Sequence, residues 1–79
     1  MIDVVKAAEE AQMIVAGYAY KRKGDWIEVI NLNNPIKVVV LSRNNKVIET
    51  TMDDIEIEIV KDYLIRNIEF MEPLDAEVL

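Results

Sequence analysis

No histidine and no cysteine occur in this chain of 79 residues. Those two side chains supply most general bases near neutral pH, most nucleophilic thiols and most transition-metal ligands. Catalysis would have to rest on carboxylates, lysine, tyrosine or hydroxyls, and none of these falls into a recognised motif. Ser42, the single serine, has no histidine to activate it. The two glycines, Gly17 and Gly24, are isolated, so no glycine-rich phosphate loop exists. An enzyme is not expected, and neither is a cofactor or a metal site.

Two further shortages bound the fold. Without cysteine there are no disulfides, so hydrophobic burial must hold a domain near the lower size for a single core. The apolar fraction of 52% is adequate for that, and Ile and Val abound, unlike in disordered chains. The longest apolar run, residues 13–20, falls short of the roughly 18 to 20 residues of a membrane helix. The start Met1-Ile2-Asp3 lacks the basic and apolar regions of a signal peptide. A cytoplasmic protein without a membrane segment is the expectation, organised as one domain over residues 1–71 with an acidic tail at 72–79.

Charge is unevenly spread. Residues 1–48 carry seven basic and five acidic side chains, while residues 49–79 carry two basic and ten acidic ones. The net charge of −6 argues against sequence-independent binding of nucleic acid, which needs many Lys and Arg contacts to phosphate. It suits solubility, a basic protein partner, or attraction between opposite ends of two copies. Lys21-Arg22-Lys23 beside Trp26 imitates a nucleic-acid site, but three cations at a helix end explain the run without a ligand.

The pattern predicts α+β architecture in the order α-β-β-β-α, a three-stranded antiparallel meander flanked by an N-terminal and a C-terminal helix. Val4, Ala8, Ala11, Val15 and Tyr18 align as one helical stripe, giving a first helix over residues 3–22. Asp3 is its N-cap and Lys23-Gly24 its stop. The alternative ends this helix near Met13 and makes residues 14–22 a strand turning at Lys23-Gly24-Asp25. Residues 26–32, 36–42 and 47–51 read as strands, separated by Asn33-Asn34-Pro35 and Arg43-Asn44-Asn45-Lys46. Lys46 and Glu49 suit an exposed edge. Residues 52–71 read as the last helix, with a capping box at Thr51/Asp54 or Thr50/Asp53 and an apolar stripe of Ile57, Val60, Leu64, Ile68 and Met71, widened by Ile59 and Tyr63.

Val38, Val39, Val40 and Leu41 are consecutive, so both faces of their strand need cover. Two helices on one face would leave the other for a dimer or partner; one helix on each face would relieve it. The expected function is therefore that of a small acidic interaction module, an adaptor, inhibitor or regulator acting on a basic or nucleic-acid-binding protein, or else a homo-oligomeric structural module. Candidate contact residues are Tyr20, Trp26, Val39, Leu41, Asp53, Asp54, Glu56 and Glu58. Asp53, Asp54, Glu56 and Glu58 also have the oxygen chemistry for Mg²⁺ or Ca²⁺, but helix-start charge explains them better. Glu56 projects into the apolar face of the last helix, where a carboxylate is either an acid/base group, a register pair in a dimer, or an edge residue reaching solvent.

Overall fold

A computed structural model describes residues 3–68. Seven elements follow one another: α1 (Val4–Glu10), β1 (Met13–Val15), β2 (Tyr18–Lys23), β3 (Trp26–Asn31), β4 (Val38–Leu41), β5 (Val47–Thr50) and α2 (Asp54–Arg66). The strands form one antiparallel sheet in chain order, β1-β2-β3-β4-β5. The class is α+β as expected, but the meander has five strands, not three. The predicted helical residues 69–71 and the tail at 72–79 lie outside the described residues.

The difference arises in residues 11–23. Asp3 does cap the first helix, its carboxylate accepting from the amides of Val5 and Lys6. The helix nevertheless stops after seven residues, because Gln12 leaves it to donate its amide to the Tyr20 carbonyl at 2.9 Å. Gly17 is not a tolerated helix glycine. With Ala16 it forms a two-residue hairpin turn in which both φ angles are positive, 51° and 84°, the pattern that matches strand twist. The stretch weighed as one strand is thus two, β1 and β2. Lys21-Arg22-Lys23 sits on β2 instead of at a helix end, and Gly24 (φ 61°) opens the β2–β3 turn.

Strand alternation divides the sheet into two faces. Met13, Tyr20, Ile27, Val29, Val39 and Leu41 point to the face under α2 and meet Ile57, Val60 and Leu64. α2 follows β2 in the same direction: Glu56 reaches Tyr18, and Val60 reaches Tyr20. Two strand residues advance about 6.7 Å and four helical residues about 6 Å, so the two elements stay in step. Leu41, Val39, Val29, Val60, Leu64 and Tyr20 are fully buried. Side chains of this size contribute roughly 1.5–3 kcal/mol each when removed from water.

The opposite face carries Ala19, Lys21, Lys23, Trp26, Glu28, Ile30 and Val40. α1 lies here and is held by Lys21 Nζ to Glu10 Oε1, 2.8 Å. That hydrogen bond and the lysine charge lower the Glu10 pKa below the usual carboxylate value. Ala19 and Ile30 are buried beneath this corner, whereas no residue of α1 itself is. One helix therefore lies on each face, but the second is too short to complete the cover of the valine strand. Among the described residues, no helix is long and apolar enough to cross a membrane.

Candidate interaction surface

Three polar contacts set how α2 is rotated on the sheet. Asp53 is the N-cap, its carboxylate accepting from the Glu56 amide at 2.8 Å. The two threonines expected to cap do other work: Thr51 Oγ1 donates to the Ile36 carbonyl and accepts from the Val38 amide, and Thr50 Oγ1 donates to the Val38 carbonyl. One turn into the helix, Glu56 Oε2 accepts from Tyr18 Oη and from Asn31 Nδ2, both at 2.9 Å. Asn31 is fixed in turn, because its Oδ1 accepts the amides of Asn33 and Asn34. A turn further on, Tyr20 Oη donates to the Val60 carbonyl at 2.8 Å.

Half-burial and the Glu56 carboxylate both favour the neutral phenol, pushing the Tyr18 pKa up to about 12. Burial pushes that of Tyr20 up further. The Tyr18 and Tyr63 rings lie beside this cluster with centroids 6.4 Å apart. Glu56 is half-buried and serves as an acceptor that joins helix to sheet.

With the rotation so fixed, helical geometry decides what faces outward. Ile57, Val60 and Leu64 point in. Ile55, Ile59, Asp62 and Arg66, at steps of four, three and four, form the opposite stripe, with Asp54, Glu58 and Ile65 beside it. Ile55 is 74% exposed, Ile59 42% and Ile65 61%. Asp62 pairs with Arg66 at 3.2 Å, while Asp53, Asp54 and Glu58 are exposed. Single exposed aliphatics such as Ile36 are ordinary on a protein surface. Isoleucines aligned on the outer side of a helix that already buries its inner side are not.

The opposite sheet face leaves a second feature. A groove of about 280 Å³ is lined by Lys23, Trp26, Glu28, Val40, Ile48 and Glu49. Trp26 is 51% exposed there and Ile48 46%. Lys23 holds Glu28 at 3.2 Å on its rim.

The residues expected to make contacts thus separate into three sets. Tyr20, Val39 and Leu41 are fully buried under α2 and present no surface; their hydrophobicity belongs to the core. Asp53, Asp54, Glu56 and Glu58 do gather at the first turns of α2, with Asp53 and Glu56 occupied as cap and sheet anchor. Trp26 stands apart on the other face. Among the described residues, no group of three or more acidic side chains converges as it would around a metal ion. Sequence reading missed Ile55 and Ile65 as surface, and placed Ile59 on the inner stripe. The alternation Ile55-Glu56-Ile57-Glu58-Ile59 held the signal, since isoleucines two apart cannot share one side of a helix.

A model of a family of unknown function, DUF7723, matches residues 1–71. No curated protein and no solved structure matches the chain.

Proposed function

The chain belongs to that family of unknown function, and we propose from its own geometry that it is a non-enzymatic interaction module whose contact surface is the outer face of α2. The partner is a protein segment that is basic and amphipathic. Its apolar side rests on Ile55 and Ile59, and its cations face Asp54, Glu58 and Asp62.

The observation that carries this reading is the pair of outward isoleucines set among carboxylates. The outward isoleucines do not serve the core, and the carboxylates serve the helix only in part. Asp54 and Glu58 are like charges one turn apart, an arrangement that costs an isolated helix about 0.2–0.5 kcal/mol. The helix dipole rewards Asp54 in the first turn, but its influence has faded by Glu58. A desolvated aliphatic centre with a charged surround is the anatomy of a docking patch. The carboxylates steer encounter with a basic partner and the isoleucines hold it. The chain's want of histidine and cysteine, and the engagement of Glu56 with Tyr18 and Asn31, support a role without chemistry.

Fluorescence titration of the full chain with a labelled amphipathic Leu/Lys helical peptide tests the proposal, with a Leu/Glu peptide of the same pattern as control. The Leu/Lys peptide should bind, and binding should weaken at least about tenfold, near 1.4 kcal/mol, in Ile55→Ser/Ile59→Ser. High salt should weaken it further. Equal binding of both peptides, or no loss in the serine variant, would overturn the reading.

A further inference from the structure

Side chains level with one another on paired strands share a face of the sheet. Opposite α2, Ile14, Ala19, Ile30 and Val38 form such an apolar row across β1 to β4. α1 stands over its middle, where Ala19 is 3% and Ile30 9% exposed. Yet none of the seven residues of α1 is itself buried. Between helix and sheet lies a cavity of about 270 Å³, lined by Asp3, Lys6, Glu10, Lys21, Lys23 and Glu28 beside Ala19 and Ile30. Charged groups are costly to hold away from water, so a space with this lining stays hydrated and adds little apolar burial. We propose that α1 is a lid, which swings off the sheet about Ala11 while the five strands and α2 stay folded, with the Lys21–Glu10 pair as its latch.

The hinge is built into the chain. Ala11 leaves the helix with extended backbone, φ −68° and ψ 141°. Gln12, next to it, is pinned to β2 twice: its amide donates to the Tyr20 carbonyl at 2.9 Å, and its Oε1 accepts the Arg22 amide at 2.7 Å. Motion therefore stops at Gln12 and leaves β1 in register. Asp3 caps α1 from within the same segment, so the cap travels with the lid. The latch crosses from sheet to helix between side chains 35% and 44% exposed, where water and salt compete with it. Once off the sheet, a helix of seven residues is too short to persist, so opening melts it. α2 differs in kind: its 13 residues bury Ile57, Val60 and Leu64, and it leaves the sheet only when the core comes apart. Opening of α1 thus uncovers the apolar row and leaves that core untouched.

The chain has no cysteine, so one introduced thiol reports where the fold opens. Ala19→Cys places it beneath α1, and Val39→Cys, at a fully buried position, places it beneath α2. Each full-length variant is labelled with a maleimide dye too large to enter with α1 in place, in water and in low urea. Ala19→Cys should react at least about a hundredfold faster than Val39→Cys. Its rate should vary little with urea, because a lid exposes little surface, whereas that of Val39→Cys should climb steeply. Adding Lys21→Met, or salt near 0.5 M, should speed labelling of Ala19→Cys about two- to fivefold. Amide exchange of the parent gives a second reading free of any substitution. The Ala7 amide, which donates to the Asp3 carbonyl at 2.9 Å, should exchange at least about a hundredfold faster than that of Val60. Equal rates and equal urea slopes at the two thiols would overturn the proposal, as would labelling of Ala19→Cys that Lys21→Met leaves unchanged, or α1 amides as protected as those of α2. Because α1 and the outer face of α2 lie on opposite sides of the sheet, either outcome leaves the peptide titration unaffected.

Discussion

Removing the Glu56 carboxylate would show how firmly α2 is keyed to the sheet. In Glu56→Ala, Tyr18 Oη and Asn31 Nδ2 both lose their acceptor. A hydrogen bond to a charged group contributes about 1.5–3 kcal/mol when buried. This site is half-buried and water can replace part of what is lost, so roughly 1 kcal/mol per bond is the better figure. Alanine returns a few tenths of a kcal/mol through helix propensity. The expected loss is about 2 kcal/mol, which in a domain of this size lowers Tm by roughly 8–16 °C. Glu56→Gln separates charge from geometry. A single oxygen of Glu56 accepts both bonds, and an amide oxygen has two lone pairs to do the same. Only the charge assistance goes, about 1 kcal/mol in all. Urea melts of both variants give the two values, and a cycle with Tyr18→Phe should return a coupling of about 1 kcal/mol. Alanine within about 0.5 kcal/mol of the parent, or glutamine as costly as alanine, would refute the assignment of Glu56 as the anchor.

Other perturbations probe the rest of the account. Leu64→Ala should cost about 2–5 kcal/mol in a denaturant melt, while Ile55→Ser should stay within about 0.5 kcal/mol, since one empties the core and the other only alters the surface. Gly17→Ala should cost about 1–2 kcal/mol, because its φ of 84° is strained for any residue with a Cβ. Gly24→Ala should cost less, with φ of 61° and no atom within 4 Å of the added carbon. The folded Tyr18 pKa of about 12 stands above the usual value of 10, so its stabilising contribution is complete below pH 10 and lost as pH rises through 12. Melts of the parent and Tyr18→Phe should therefore converge across that window; a gap that widens would contradict the Tyr18–Glu56 bond.

Much of this architecture was legible because local chemistry and tertiary structure agree. Asp3 and the region of Asp53 announced helix starts, and the strands at β3, β4 and β5 were bounded by turn residues whose chemistry the structure uses. Asn45, at φ 62°, is one such residue. Residues 11–23 were not legible. Ala8, Ala11, Val15 and Tyr18 fit a helical stripe, while Tyr18 and Tyr20 fit a strand, and only pairing decides between them. β2 gains partners on both sides, and Tyr20 gains a buried place and an acceptor under α2. The contact surface was half legible. Its carboxylates were visible as a cluster, but its isoleucines read as core, because three alternating Ile side chains do not declare which will face the sheet. That choice belongs to Tyr18 and Asn31, which grip Glu56 from strands far away in sequence.

The most direct test of the outward face of α2 is a map of backbone amide shifts while the Leu/Lys peptide is added to the full chain. Perturbations centred on Ile55, Ile59, Asp62 and Ile65 are the predicted result. Shifts centred instead on Trp26, Val40 and Ile48, or none along α2, would contradict it.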